Sequence, residues 1–148
     1  MANAANQAHV DTLNSLLRGE LSAVETYQKA EQKFAGKPEI TRLSAIRAEH
    51  QRAADRLREH VIKFGGEAST GSGTWGAFAN TIAAAANLFG ENSAMSALKQ
   101  GEQHGIGSYE ATLKKADLPA ECRALVNELL PKCREHSAAL DSLMANNK

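Results

Sequence analysis

Apolar positions along this chain recur at alternating steps of three and four, the spacing of a helical face that packs against other helices. The first such seam reads Val10, Leu13, Leu17, Glu20, Val24, Tyr27. Phe34-Ala35-Gly36-Lys37-Pro38 closes it, with Gly suited to a helix stop and Pro to the next first turn. A second seam reads Leu43, Ile46, His50, Ala53, Leu57, Val61 and ends at Gly65-Gly66. The third reads Met95, Leu98, Glu102, Ile106, Tyr109, Leu113, and the turn at Asp117-Leu118-Pro119 follows. The fourth reads Val126, Leu129, Cys133, His136, Leu140, Leu143. Pro131 lies inside this last segment and is expected to bend it about one turn before His136.

Four long amphipathic segments with no β-rich stretch predict an all-α antiparallel four-helix bundle in one domain, residues 1–148, built of two helix pairs at about 7–64 and 92–145. The connections set the topology. Links within each pair are short, so each pair is antiparallel. The stretch from Glu67 to Gly73 is polar and rich in Gly and Ser, a loop. A short helix is expected from Trp75 to Phe89, capped by Thr74 and closed by Gly90, with Trp75 as its anchor. Loop and helix together can run back over a helix roughly 40 Å long, which would make a long crossover between helices 2 and 3; a simple up-down bundle with a floppy insertion is the alternative.

The chain also repeats itself. Leu16-Leu17-Arg18-Gly19-Glu20 and Tyr27 match Leu98-Lys99-Gln100-Gly101-Glu102 and Tyr109. Glu49-His50 with Asp55 and Leu57 matches Glu135-His136 with Asp141 and Leu143. A need for a greasy face would repeat apolar residues alone. Here Gly-Glu, Tyr, Glu-His and Asp repeat too.

Each repeated Glu and His sits on a seam without an opposite partner on its own helix. Glu20 is flanked three and four residues away by Leu16, Leu17, Ala23 and Val24, and Glu102 by Leu98, Lys99, Gly105 and Ile106. His50 and His136 lie among Ala53, Ala54, Ala139 and Leu140. A buried carboxylate without a partner costs several kcal/mol or takes up a proton, so each needs a partner from another helix. Counted along the helices, Glu20, His50, Glu102 and His136 all fall near mid-bundle, within about a turn. Three arrangements are open. The four groups hold a metal ion, for which carboxylate oxygen and imidazole nitrogen suit iron or manganese, with zinc behind. They satisfy each other without a metal and help to set helix register. Or one His faces the rim. Tyr27 and Tyr109, two turns beyond their Glu, are expected beside the site as supporting residues or plain core. Gly19 and Gly101 cost helix stability and point to close helix approach or to room beside the Glu.

With these paired Gly-Glu and Glu-His motifs the chain resembles the ferritin-like superfamily, and within it an uncharacterised bacterial branch filed as domain of unknown function 2383. That resemblance implies a ferritin-like antiparallel four-helix bundle with a long crossover. It also implies metal ligands at Glu20, His50, Glu102 and His136. Ferritin-like di-iron proteins carry Glu-x-x-His on the second helix of each pair. This chain has Arg47 and Cys133 three residues before its histidines, so the bridging carboxylates are missing. Glu49 and Glu135, next to the histidines, are the additional candidates, about 100° around the helix. A single metal, an altered site or a lost one is expected rather than a full dinuclear centre.

Composition narrows the function classes. Lys plus Arg and Asp plus Glu each total 17, for a net charge of zero. The basic residues are scattered, so nucleic acid and anionic membranes are not expected partners, while a homo-oligomer is left open. Cys122 and Cys133 are roughly 16 Å apart on one helix, too far for a mutual disulfide, and a reducing cytoplasm is the simplest setting. The first turn of helix 4 places Cys122 where a helix dipole can lower a thiol's pKa. His9, His60 and His104 fall off the seams and are expected in solvent. No nucleophile triad or phosphate-binding loop is present, so no hydrolase or nucleotide enzyme is indicated. The rival to the metal protein is a non-catalytic bundle acting through its surface or by oligomerisation, with stress physiology as the setting that analogy suggests.

Overall fold

A computed structural model describes residues 4–72 and 90–146. It contains α1 (Ala4–Lys33), α2 (Glu39–Lys63), α3 (Glu91–Leu113) and α4 (Ala120–Asn146), and no strand among the described residues. The three–four spacing of apolar residues is what makes each of these a helix with one face to bury. All six residues of each of the first two seams are buried. In the last two, Ile106, Leu113 and Leu143 are half-buried at the flanks. α1 stops at a turn in which Gly36 takes φ 79°, a left-handed conformation that costs a side-chain-bearing residue. Pro38 then opens α2 with φ −58°. α4 runs unbroken through Pro131.

The helices pair α1 with α2, α3 with α4, α1 with α3 and α2 with α4. Cross-bundle contacts give the directions. Tyr27 meets Glu102 while Tyr109 meets Glu20, so α1 and α3 are antiparallel. Arg56 pairs with Glu128 and Lys63 with Glu121, so α2 and α4 are antiparallel. With α1 and α2 joined by a short turn, α2 and α3 must run the same way. The connection between them therefore returns from one end of the bundle to the other. α2 ends beside the start of α4, through Lys63 and Glu121, and α3 begins beside the α1–α2 turn, through Lys37 and Glu91.

The first part of that connection is tied down along α1. Asn14 donates to Glu67 O at 2.9 Å and accepts from Ser69 N at 2.9 Å. Arg18 donates to Ser69 Oγ, and Ser72 Oγ donates to Glu25 Oε2 at 2.9 Å. At Gly66 the chain passes so close to α1 that a Cβ would lie 2.5 Å from Cγ1 of buried Val10. The expected short helix from Trp75 to Phe89, its Thr74 cap and the Trp75 anchor lie outside the described residues. No helix among the described residues is long and apolar enough to cross a membrane.

The apolar interior is in two parts. One, towards the start of α1, contains Val10, Leu13, Leu17, Leu57, Val61 and Val126. The other contains Phe34, Leu43, Ile46, Met95, Leu98 and Leu140. Burying such a side chain is worth about 1.5–3 kcal/mol. Between the two lies a polar layer.

Candidate metal centre

One residue from each helix supplies this layer: Glu20 from α1, His50 from α2, Glu102 from α3 and His136 from α4, all at least 95% buried. Each is where its seam puts it, midway along a face whose other members are apolar. His50 is held from both sides. Its Nδ1 is 2.5 Å from Glu20 Oε2 and its Nε2 is 2.7 Å from Glu102 Oε1. Since both acceptors are carboxylates, both ring nitrogens carry protons and His50 is an imidazolium. Burial by itself would favour the neutral ring. The two carboxylates outweigh it, and His50 holds its proton well above the usual histidine range. Burial also disfavours the Glu102 carboxylate, but charged His50 reverses this and brings its pKa down to about 2.

The tyrosines close the layer from above and below. Tyr27 Oη donates to Glu102 Oε1 at 2.7 Å, and Tyr109 Oη donates to Glu20 Oε1 at 2.6 Å. Each hydroxyl serves the carboxylate of the other repeat. Burial, then the neighbouring carboxylates, keep both phenols protonated far above their ordinary value. The swap follows from the antiparallel register of α1 and α3 combined with the seven-residue Glu-to-Tyr spacing.

His136 is placed differently. Its ring faces His50 with centroids 4.7 Å apart. Its Nδ1 is 3.5 Å from Glu102 Oε1 and its Nε2 is 3.7 Å from Glu49 Oε2. Among the described residues neither nitrogen has a hydrogen-bond partner, nor has Glu102 Oε2. Buried polar atoms are nearly always paired, so three orphans in one place call for an explanation. A four-coordinate ion with bonds of about 2.0–2.2 Å holds its donors roughly 3.3–3.6 Å apart. The 3.5 Å between His136 Nδ1 and Glu102 Oε1 is of that size, whereas Nε2 is turned towards Glu49 on the other side of the ring, so a single ion uses one of the two nitrogens. Ligand atoms of His50, Glu102 and His136 all lie within 4.8 Å of one another.

Of the remaining candidates, Glu49 reaches the layer and Glu135 does not. Glu49 leaves its own neighbour His50 and approaches His136 on the facing helix, with its side chain 26% exposed. Glu135 points outwards, 66% exposed, 4.0 Å from Lys132. Arg47 turns away from the layer and pairs with Glu31 at 2.7 Å. Cys133 is buried next to the layer. Burial first, and Glu20 and Glu102 second, push its thiol far up, so it stays neutral. Neither position three residues before a histidine offers a carboxylate. Both cysteines are free. At Cys122 burial, with Glu121 beside it, raises the thiol pKa, and this outweighs the helix dipole. His104 is exposed as expected, while His9 and His60 are half-buried, the former edge-on to Phe64.

Two openings lead to the layer. A groove of about 440 Å³ between α1 and α3 is lined by Gly19, Ala23, Gly101 and Gly105 and reaches both tyrosines. A Cβ at Gly19 would meet nothing within 4 Å among the described residues, so Gly19 leaves room beside Glu20 rather than permitting close helix contact. A cleft of about 380 Å³ between α2 and α4 is lined by Glu49, Arg52, Arg56, Lys132 and His136.

A family model described as a domain of unknown function (DUF2383) matches residues 8–115, and the chain belongs to that family. The matched span holds Glu20, His50, Glu49 and Glu102 and stops before α4 with His136. No curated protein and no solved structure matches the chain.

Proposed function

We propose that this member of the family is a ferritin-like metal-binding protein, with one divalent ion held at mid-bundle by His50, Glu102 and His136. Glu20 and Glu49 are the carboxylates available to complete or support the site. The observation that carries this reading is the set of orphaned donors: both nitrogens of His136 and Oε2 of Glu102. A mixed carboxylate and imidazole set suits iron or manganese ahead of zinc. Such an ion, when bound, supplies Lewis acidity or one-electron chemistry in a water-poor interior. The protein's own part is to hold the donors. Tyr27 and Tyr109 orient the two carboxylates, and His50 gives up its proton when it becomes a ligand. The same-direction course of α2 and α3 supports the ferritin-like assignment, because it requires the long return that such bundles have. The absence of a carboxylate at Arg47 and Cys133 supports one ion rather than two. One domain of two related helix pairs, in a bacterial cytoplasm, belongs to the same reading.

A second reading has its own support. His50 is fully paired to Glu20 and Glu102, so these three groups already form a hydrogen-bonded network without a metal, in which one imidazolium offsets one of the two carboxylate charges. In that case the layer fixes helix register and the protein works through its surface or by self-association.

Metal analysis of untagged protein separates the two. Near-stoichiometric iron, manganese or zinc that vanishes in a Glu102→Ala, His136→Ala double variant is the expected result. Protein that stays metal-free after loading with Fe²⁺, Mn²⁺ and Zn²⁺, and melts at the same temperature with and without them, establishes the metal-free layer instead.

A further inference from the structure

The two openings differ in chemistry. The α1–α3 groove reaches the layer past two tyrosine hydroxyls that are already donated to Glu102 and Glu20. Its walls include small, uncharged residues such as Gly19, Ala23 and Gly105. A hydrated cation gains little there. The α2–α4 cleft is lined by charged groups and by His136 itself. At its inner end Glu49 Oε2 stands 3.7 Å from the unpartnered Nε2 of His136, which is 95% buried. One partly exposed carboxylate thus touches both the outside and a buried donor that has no other partner.

A cation already stands at that carboxylate. Lys132 Nζ is 3.6 Å from Glu49 Oε2 and 4.0 Å from Glu135 Oε2, while its side chain is 54% exposed. Two other charges of the cleft have partners of their own: Arg56 with Glu128 at 2.8 Å, and Asp55 with Arg58 at 3.1 Å. Arg52 also lines the cleft. The ammonium is close enough to compete for Glu49, yet too far for a firm hydrogen bond. Its long flexible stem lets it leave for solvent at small cost.

We propose that the α2–α4 cleft is the path by which a divalent cation reaches the buried layer, with Glu49 as its first ligand and Lys132 as a tethered cation that must be displaced. This rests on the metal reading above and adds the route and its control. Passage runs from Glu49 past the His136 ring, whose Nε2 faces Glu49 and whose Nδ1 faces Glu102. Lys132 sets the rate by repelling the incoming ion and by occupying the carboxylate. A single charge about 6 Å from a divalent ion in water changes its local concentration by about tenfold. Salt screens such an effect over about 10 Å at 0.1 M.

The test is rapid mixing of metal-free protein with Co²⁺, followed by the visible absorption of the bound ion, at low and at high salt. Lys132→Met is expected to load about tenfold faster than wild type at low salt, with the difference shrinking at high salt. Lys132→Arg restores slow loading, and Lys99→Met, which removes a lysine paired with Asp141 elsewhere on the bundle, leaves the rate unchanged. The final amount of Co²⁺ bound is the same in all four proteins. Stoichiometric binding with equal rates for Lys132→Met and wild type at every salt concentration overturns the route while leaving the metal site standing. A wild-type protein that binds no Co²⁺ overturns both.

Discussion

His50 and His136 face each other at 4.7 Å between ring centroids, yet the first has both nitrogens paired to carboxylates and the second has neither. Two residues that match in the repeated sequence thus have unequal energetic roles. His50 places one positive charge between two buried carboxylates. His136 is a donor in waiting.

That inequality predicts unequal costs of removal in metal-free protein. His50→Ala leaves Glu20 and Glu102 facing each other with no cation and should cost about 3–5 kcal/mol at neutral pH. His136→Ala removes only a 3.5 Å contact with Glu102 along with its packing and should cost less. Urea unfolding with a chelator present measures both. Equal losses would show that the two rings share the neutralising role.

Stability of the metal-free protein should peak in mildly acidic solution. The folded pKa of His50 lies above its ordinary value of 6.5, so its contribution is complete below 6.5 and is lost as pH rises through the folded value. Glu102, lowered from 4.5 to about 2, contributes above 4.5 and loses that contribution as pH falls towards 2. Unfolding free energies measured from pH 3 to 9 should therefore be highest between about 4.5 and 6.5. A bound metal replaces the His50 proton, so the decline on the alkaline side should disappear in loaded protein. A His50→Gln protein with an unchanged alkaline decline would assign that limb to another group.

Each tyrosine hydroxyl donates to a charged acceptor in a dry interior. Tyr27→Phe and Tyr109→Phe should each cost about 1.5–3 kcal/mol, more than an exposed hydrogen bond would. The carboxylates would also lose their fixed orientation, so metal affinity should fall in both variants. Denaturant midpoints and metal titrations on the same samples check the pair of effects. A loss below about 0.5 kcal/mol in both would mean that water replaces the hydroxyls.

Gly66 passes Val10 with no space for a methyl group. Gly66→Ala should destabilise by about 1–3 kcal/mol through overpacking. Adding Val10→Ala to that variant should recover part of the loss, since it removes the clashing branches. Thermal melting of the two variants decides this, and no recovery would place the strain elsewhere in the connection.

Much of this was readable from the chain before any coordinates. The seams name the buried faces because a helix turns about 100° per residue, so a run of threes and fours can only be one stripe. Glu20, His50, Glu102 and His136 stand out as polar positions on apolar seams; Glu20 has no charged neighbour three or four residues away, and Lys99, three residues before Glu102, pairs with Asp141 instead. Other features were less legible. From its sequence position Gly19 fits a contact point or a space equally, and only the tertiary structure shows that a Cβ there meets nothing within 4 Å among the described residues. Glu49 and Glu135 are equivalent in the repeat, but one reaches His136 and the other faces solvent. Cys122 lies at a helix start where the dipole acts on it, but its burial has the larger effect.

The amino-acid order alone determined four helices and the level of the polar layer, while the contacts of Tyr27 with Glu102 and Tyr109 with Glu20 decided that α2 and α3 run the same way. The helices and the layer depend on periodicity, on counting along a rigid rod and on the cost of an unpaired charge, all of which are properties of single segments. Only the tertiary structure decided that Tyr27 serves Glu102 rather than Glu20, that His50 lies between both carboxylates, and that His136 is left with Glu49 at 3.7 Å. Those pairings turn on the axial stagger and rotation of one helix against another. A shift of an ångström or two there changes which oxygen meets which nitrogen and leaves every seam as it was.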